Sequence, residues 1–212
     1  MTNPDKSSPP DLVSLDVEHP IWERFFTIAP LVVIGSREED GSYDLAPKHM
    51  VTPLGWENYF GFVCTPQHST YQNIQRHGEF TVSFPTADAI VLTSLSASPR
   101  CGDQSKPALA ALPTFSAHEI DGEFLSQASL FFECRLDRIV DGFGINSLIA
   151  GQIVAAHLDA TALRSEDRDD QDVIAASPLL GYVSPGRYLK IDQSRSFPFP
   201  QGFQKNDEDS VK

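Results

Sequence analysis

A short helix set between two strands, in the first half of the chain, constrains the fold more than any other feature. The first strand-like run is YFGFVC at 59–64, and the second is EFTVSF at 79–84, in which apolar and polar residues alternate. Between them, Ser69 is predicted to be the helix N-cap, with Gln72 completing a capping box, and Gly78 is placed to end the helix. Hydroxyl groups at a helix N-terminus predict an anion site, because free backbone N–H groups and the helix dipole both favour negative charge.

The remaining sequence has the turn spacing of a β-rich domain. Asp-Gly pairs at 40–41, 121–122 and 141–142 lie between strand-like runs and predict turns. Strands are predicted at residues 31–36, 44–51, 59–64, 80–84, 115–120, 129–140, 147–157 and 187–191. Short helices are predicted at 20–27, 70–77 and 87–97, with a further turn or helix at 159–163. Asp88 is the predicted cap of the third helix, and the acidic segment 165–172 is predicted to be a solvated loop. Many short strands with few helices predict a barrel or a sandwich.

Length and charge limit the domain organisation and the partners. The 212 residues suit one well-buried domain, which we expect at 16–196, between a mobile N-terminal segment at 1–15 and a tail at 197–212. The net charge of −13 argues against binding to nucleic acids or to anionic membranes. No apolar run approaches the roughly 20 residues that span a bilayer, and the N-terminus lacks the hydrophobic core of a secretion signal. We therefore expect a cytoplasmic protein.

The sequence lacks the motifs typical of several classes of enzyme, and this argues against those classes. The three cysteines are far apart and form no C-x-x-C pair, which is typical of reduced thiols in the cytoplasm. The six histidines show none of the spacings typical of zinc sites, so no metal is predicted. The chain also has neither a G-x-S-x-G elbow nor a G-x-G-x-x-G fingerprint, which argues against a hydrolase and a Rossmann dehydrogenase.

An ordered series of short motifs carries a family resemblance between residues 25 and 191. It consists of the apolar strand PLVVI, an Asp-Gly turn, the DLAP segment, a second strand, STYQN and GEFTVSF. The series resembles the flavin reductase-like FMN-binding split-barrel family, of the flavoredoxin type. The resemblance implies a mainly-β FMN-binding split barrel with a few short flanking helices. It also implies an FMN cofactor, a homodimer with FMN near the subunit interface, and a reductase that moves hydride from NAD(P)H to FMN and onward to an acceptor.

The resemblance further implies which residues hold the phosphate end of FMN. Ser69 and Thr70 would contact the phosphate, although simple helix capping would also explain them. The loop before the helix would line the ribityl chain and phosphate through Cys64, Thr65, Pro66 and His68. A surface histidine at a helix start explains His68 equally well. Asn73 matches the family's TxxN pattern, where a bridge from the helix to a neighbouring loop is the role we favour.

The ring end of FMN is assigned by the same resemblance. The segment Ala46, Pro47, Lys48, His49 and Met50 would run along the isoalloxazine ring. The family often has Tyr-Ser or Asn-Ser where this chain has Lys48 and His49. Lys48 could instead stabilise the anionic reduced flavin, while a plain surface lysine is the alternative.

Three more residues are candidates for a role near the flavin. His157 closes GQIVAAH, which resembles the family's G-x-V-x-x-x-H strand. It would approach the place where flavin meets nicotinamide and orient the carboxamide or supply a proton. A hydrogen-bonded histidine at a strand end is the alternative. Trp56 and Tyr59 could stack on a planar ring, but we expect them to fill the core.

Two other functions stay open at this point. A pyridoxamine-phosphate-oxidase-like enzyme uses the same barrel, but its phosphate site is typically richer in cations than Lys48 and Arg76 would make this one. A flavin-binding electron carrier would need no nicotinamide at all. The acceptor could be free flavin, a ferric chelate, a quinone or a redox protein.

Overall fold

The computed structural model describes residues 11–201, and strands dominate it. The strands are β1 (Thr27–Pro30), β2 (Val32–Arg37), β3 (Tyr43–Lys48), β4 (Val51–Pro53), β5 (Tyr59–Cys64), β6 (Glu79–Pro85), β7 (Thr114–Ser116), β8 (Glu123–Leu125), β9 (Ala128–Phe143), β10 (Asn146–Leu158), β11 (Leu179–Ser184) and β12 (Arg187–Ile191). The α-helices are α1 (Ser69–His77), α2 (Ile90–Leu95) and α3 (Asp170–Ala176). Three 3-10 turns lie at Ala87–Ala89, Pro107–Ala111 and Ala160–Ala162. The mainly-β prediction is confirmed.

One antiparallel sheet of seven strands forms the split barrel, in the order β3-β2-β6-β9-β10-β5-β4. The longest strand pair in this sheet is the hairpin of β9 and β10, whose register shifts three times along its length. Such bulges bend a strand and increase its twist, which lets the sheet curl. A second sheet, β1-β11-β12, and the pair β7-β8 complete the fold.

The core fills the inside of the curled sheet. Phe62, Phe80 and Ile149 point into it from three strands and are fully buried. Helix α1 adds Tyr71 and Ile74 to the same cluster, so the helix packs one apolar face on the sheet. Each fully buried side chain of this size contributes about 1.5–3 kcal/mol. The packing therefore fixes where the N-terminus of α1 stands relative to the sheet.

A glycine lets β8 approach the main sheet closely. A Cβ atom at Gly35 would lie 2.3 Å from both the carbonyl oxygen of Glu123 and the hydroxyl of Thr81. The same Thr81 hydroxyl donates a hydrogen bond to Glu123 O at 2.5 Å. Any side chain at position 35 would separate β8 from β2.

Elements with local signals lie where the sequence predicted them. Strands β5 and β12 match their predicted bounds, and α1 begins one residue early. Gly78 ends the helix in the left-handed conformation, with φ of 72°, as expected of a C-terminal glycine. Gly41 likewise adopts a positive φ in the β2–β3 turn. The predicted strand 129–140 is longer, since β9 runs on to Phe143 and the hairpin turn follows at 144–145 rather than at 141–142.

Other predictions were wrong, and long-range pairing explains most of them. Residues 20–27 form turns that lead into β1, because β1 pairs with β11 from the far end of the chain. Strand pairing of this kind overrides local propensity. The predicted strand 44–51 is broken at 49–50 into β3 and β4, and 115–120 keeps a strand only in β7.

The helix caps also differ from the prediction. Segment 87–97 is a 3-10 turn followed by α2, with Thr86 rather than Asp88 at its N-cap position. The acidic segment 165–172 is only partly a loop, since α3 starts inside it. The side chain of Asp169 caps α3 by accepting the N–H of Gln171 at 2.8 Å.

The ends of the chain and its thiols complete the description. Most of the predicted N-terminal segment and tail, at 1–10 and 202–212, lies outside the described residues. All three cysteines are free, with Cys64 and Cys134 buried and Cys101 exposed. Across residues 11–201, every helix is too short or too polar to cross a membrane.

Candidate functional site

One cleft brings together six of the predicted cofactor-binding residues. It has a volume of about 410 Å³ and lies between β3, the N-terminus of α1 and the loop 96–106. The predicted residues that line it are Ala46, Pro47, Lys48, His68, Ser69 and Thr70. Thus β3 and the helix start, which are separated in sequence by β4 and β5, line one site.

The helix start has a different cap from the predicted one. His68 occupies the N-cap position with an extended backbone and makes no side-chain capping bond, while Ser69 is the first helical residue. The predicted capping box is therefore wrong, and the Gln72 amide instead donates to the carbonyl of Pro66 at 3.3 Å. The one-residue shift leaves the Ser69 hydroxyl out of capping.

The first turn of α1 has unused donors. The N–H groups of Tyr71 and Gln72 both donate to His68 O, at 3.0 and 3.2 Å. The N–H groups of Ser69 and Thr70 have no acceptor within residues 11–201. First-turn N–H groups lack an intrahelical partner by geometry, and they carry the positive end of the helix dipole. This end of the cleft is therefore suited to an anion.

Two cations in the cleft are already paired. Lys106, whose side chain is 7% exposed, lies 3.0 Å from the carboxylate of Asp44 and donates to Leu45 O at 2.8 Å. Arg100 lies 3.2 Å from Asp44 and also bonds to Glu38. These ion pairs hold the loop 96–106 against β3. They also neutralise most of the positive charge of Arg100 and Lys106, so little of it is available to a ligand.

Lys48 is the cation that the cleft leaves available. Among the described residues, no carboxylate lies within ion-pair distance of its Nζ atom. Burial, followed by the charge of Lys48, lowers the pKa of both His68 and His49. Burial raises the pKa of the Cys64 thiol, and the same lysine charge partly opposes that rise. The positive charge of Lys48 therefore acts on His68 at the helix start and on Cys64 at the end of β5.

The loop between β5 and α1 is held together by its own contacts. The Cys64 thiol is buried 4.0 Å from His68 Nδ1, and the side chains of Thr65 and Gln67 bond to each other. Cys64, Thr65 and Pro66 do not line the cleft, whereas Gln67 and His68 do. The first three residues therefore shape the loop from behind.

Three more predicted binding residues lie away from the cleft. His49 stacks on Tyr182 of β11, with 4.4 Å between ring centroids, and Met50 beside it is half exposed. The amide of Asn73 is buried and donates to the Ser36 hydroxyl at 3.2 Å. Asn73 therefore joins α1 to strand β2 rather than to the neighbouring loop that was expected from the sequence.

His157 also lies outside the cleft, on the β9–β10 hairpin. Its Nε2 atom is 3.0 Å from Oε1 of Glu133, a carboxylate with no exposed surface. Glu133 also accepts the backbone N–H groups of His118, Glu119 and Ile120. Burial alone would raise the pKa of Glu133, but these hydrogen bonds outweigh it and hold the pKa below its usual value.

Two placements correct the sequence analysis. Arg76, counted as a cation of the site, does not line the cleft and lies 3.3 Å from Glu39. Trp56 was expected in the core, but it is 96% exposed because it sits in the turn between β4 and β5. Tyr59, at the start of β5, is half-buried.

The loop 96–106, which lines the cleft, was not predicted from the sequence. Arg100 and Lys106 lie in a loop without a recognisable motif, and only their pairing with Asp44 brings them to β3. Glu133 was visible in the sequence only as a polar residue of an alternating strand. A glutamate between Phe132 and Cys134 was the one signal of a buried charge.

A second cavity of similar volume does not compete for the anion. It measures about 400 Å³ and is lined almost entirely by apolar side chains from β1, β6, β9 and β11, with no cation among them. An anionic group would lose its hydration there without gaining a partner. The cleft at α1 is the candidate cofactor site because it combines the unused N–H groups of the helix start with Lys48.

Comparison with known proteins identifies a family and several structures of similar fold. The flavin reductase like domain model matches residues 25–184. Flavoredoxin from Methanosarcina acetivorans superposes with a TM-score of 0.72 at 18% identity, over 91% of this chain and 97% of that chain. An FMN-binding protein from Thermus thermophilus, with bound 1-cyclohex-2-enone, gives 0.71 at 20% identity, over 87% and 99%.

A third structure names the architecture. A protein assigned as a flavin reductase with a split barrel domain, from Shewanella frigidimarina NCIMB 400, gives a TM-score of 0.70 at 17% identity, over 82% of this chain and 87% of that chain. Identities this low support the shared fold alone. The split barrel predicted from the sequence is confirmed.

Proposed function

Because the chain belongs to the flavin reductase-like family, we propose that it is an FMN-dependent oxidoreductase that takes hydride from NAD(P)H and passes electrons to an acceptor. The observation that carries the proposal is the cleft at the N-terminus of α1. There Ser69 and Thr70, whose N–H groups have no acceptor among the described residues, line the same cleft as Lys48, which forms no ion pair within residues 11–201.

The residues of the cleft fit a flavin mononucleotide. A phosphate needs local N–H donors and a nearby positive charge, and the cleft supplies both despite the chain's net charge of −13. The volume of about 410 Å³ lies in the usual range for small-molecule sites. Ala46 and Pro47 of β3 form a wall beside Lys48 for the rest of the molecule.

Each residue of the site has a separate task in this proposal. Ser69 and Thr70 bind and orient the phosphate through their N–H and hydroxyl groups. Lys48 places positive charge beside β3, which stabilises a negatively charged ligand. FMN, when bound, supplies the ability to accept hydride and return electrons, and the protein supplies position and electrostatics.

The proposal extends to the assembly. His157 does not line the cleft of its own chain, so a role beside the cofactor requires the homodimer expected from the resemblance. In that assembly His157 would face a ligand bound near the partner subunit. Nicotinamide, the electron acceptor and a second copy of the chain are therefore the partners we propose.

Two steps test the function. The absorbance spectrum of the purified protein is recorded before and after addition of FMN and desalting, for the wild type and a Ser69→Ala/Thr70→Ala variant. Flavin bands that survive desalting in the wild type and weaken in the variant support the site. Ser116→Ala, on an exposed strand away from the cleft, is the control.

Anaerobic mixing then separates the enzyme from an electron carrier. Bleaching of the bound flavin by NADH or NADPH supports the reductase. A flavin that dithionite reduces, but neither nicotinamide does, contradicts hydride transfer and favours a carrier. A protein that retains no FMN contradicts the assignment of the cleft.

A further inference from the structure

A second cavity adjoins the cleft at the loop 96–106. It has a volume of about 520 Å³ and is lined mainly by the turn between β2 and β3 and by residues of that loop. Three residues line both spaces, namely Arg100, Gln104 and Lys106. Ser69 and Thr70, the proposed phosphate residues, line the cleft alone. The three loop residues therefore form the boundary between the cleft and a second space.

The ion pairs of Arg100 cross this boundary. Asp44 lines only the cleft, and Glu38 lines only the second cavity. The Arg100 guanidinium lies 3.2 Å from the Asp44 carboxylate and also bonds to that of Glu38. Its other terminal nitrogen donates to Gln104 O at 2.8 Å. None of the three ionic side chains is more than 23% exposed, so solvent screens these pairs only in part.

The backbone of Gln104 has a conformation that a residue with a side chain rarely adopts. Its φ of 65° is the one positive φ at a non-glycine position in residues 11–201. The conformation is held on both sides, since Gln104 N–H donates to Cys101 O at 2.9 Å and Gln104 O accepts from Arg100. Strained residues persist where their surroundings hold them, and they are frequent at ligand sites. Here the strain places a glutamine side chain at the boundary.

Attachment of the loop to the sheet does not require this arrangement. Lys106 already ties the loop to β3 through an ion pair and a hydrogen bond to a backbone carbonyl. The bond from Arg100 to Glu38 and the left-handed backbone of Gln104 add a closure across the boundary. A function at the boundary accounts for both features.

Charge makes the second cavity unsuited to a phosphate. Its carboxylate residues are Glu38, Glu39, Asp40 and Asp103. Among the residues that line it, the cations are Arg100 and Lys106, and each of them is paired with a carboxylate. A phosphate placed there would lose hydration and face charges of its own sign. The cleft differs, because Lys48 and the first N–H groups of α1 are available to an anion.

We propose that Arg100 and Gln104 are specificity-determining residues, which end the flavin site at the phosphate and exclude the dinucleotide FAD. The inference rests on the proposed function, because it concerns the flavin that the cleft binds. FAD has the same ring and ribityl chain as FMN, but an adenylate group continues from its phosphate. To enter the second cavity, the adenylate has to displace Arg100 from its carboxylates and bring its own phosphate among them. Discrimination then comes from a cost imposed on the competitor as well as from contacts with FMN.

Titration of the flavin-free protein with FMN and with FAD, followed by calorimetry, tests the proposal without any variant. We expect FMN to bind at least about tenfold more tightly, since entry of FAD breaks a hydrogen bond between charged groups. Equal affinities, or tighter binding of FAD, overturn the proposal and leave the flavin site intact. Binding of neither flavin contradicts the proposed function itself, and the inference fails with it.

Two variants locate the discrimination at the boundary. Gln104→Gly removes the side chain there, keeps the carbonyl that Arg100 uses and suits the positive φ, so thermal stability should barely change. Glu38→Gln removes one charge from the second cavity and weakens the bond to Arg100. In each variant we expect FAD affinity to rise by about fivefold, the value of one partly shielded contact, and FMN affinity to change by less than about twofold.

Glu57→Gln is the matched control, since Glu57 is an exposed glutamate in the turn between β4 and β5 and lines neither space. Its ratio of FMN to FAD affinity should equal that of the wild type. A ratio that keeps the wild-type value in both boundary variants, or FMN and FAD affinities that change in parallel, overturns the assignment of Arg100 and Gln104.

Discussion

Two regions of this molecule turn backbone N–H groups towards negative charge, and they differ in where that charge comes from. In the loop 117–121 the chain supplies its own acceptor, the buried carboxylate of Glu133. At the start of α1, no residue of the described chain accepts the N–H groups of Ser69 and Thr70. The first arrangement stabilises the fold. We propose that the second is a binding site, because its donors have no acceptor among the described residues.

The comparison predicts the largest effect for loss of the internal acceptor. Glu133→Ala removes the acceptor of three backbone N–H groups, of which only that of Ile120 belongs to a buried residue, and the partner of His157. Hydrogen bonds to a charged group contribute about 1.5–3 kcal/mol where they are shielded and less where they are exposed, so we expect the free energy of unfolding to fall by roughly 3 kcal/mol. Urea unfolding measures it, and a loss under about 1 kcal/mol would contradict the internal role of Glu133.

Removal of a donor at α1 should have the opposite effect, weakening FMN binding while leaving the stability of the fold unchanged. Ser69→Pro deletes an N–H group that the fold does not use, and proline is well tolerated at the first helical position. The extended backbone of His68, with φ of −82° and ψ of 141°, suits a residue before proline. We expect FMN affinity to fall about tenfold or more, the value of one hydrogen bond to a charged group. Thermal unfolding of the apoprotein should barely change, and a large loss of stability would show that the N–H group serves the fold.

The dependence of stability on pH should also distinguish the two regions. The folded-state pKa of Glu133 is lowered, so its stabilisation is present above the ordinary carboxyl pKa and is lost as pH falls through the lower folded value. Wild-type stability should therefore decline on acidification below about pH 4.5. Glu133→Gln should flatten that part of the curve, while Ser69→Pro leaves it intact. An unchanged acid slope in Glu133→Gln would assign the effect to other carboxyl groups.

The smallest expected effect concerns Lys48. Replacing it by Met removes one of the two causes that lower the pKa of His68, leaving burial as the other. The pKa of His68 should rise, though not to its usual value, and FMN binding should weaken by a few-fold and become less sensitive to salt. Proton NMR titration of the His68 ring measures the first effect. A pKa that does not move would place the lysine charge elsewhere.

The sequence predicted those features that depend on neighbouring residues. Helix α1 and strand β5 have their own periodicity, and Gly78 ends the helix for a local steric reason. The error at the helix start is a single residue, since Ser69 and its neighbour His68 both suit an N-terminus. The predicted phosphate residues Ser69 and Thr70 nevertheless line the cleft.

The remaining features depend on contacts between distant segments. Strand β1 forms only because β11, about 150 residues later, pairs with it. Arg100 and Lys106 reach the cleft through Asp44, more than 50 residues before them, and no periodicity encodes such a contact. Trp56 is exposed because it lies in a turn, whereas its apolar side chain alone predicted a position in the core.

The most direct test of the account is a binding titration that compares FMN with riboflavin, which has the same ring and no phosphate. The wild type should bind FMN at least about 100-fold more tightly, since the phosphate gains two backbone donors and a cation. In Ser69→Pro that preference should shrink while riboflavin affinity stays the same. Equal affinity for FMN and riboflavin in the wild type would contradict the claim that the N-terminus of α1 is a phosphate site.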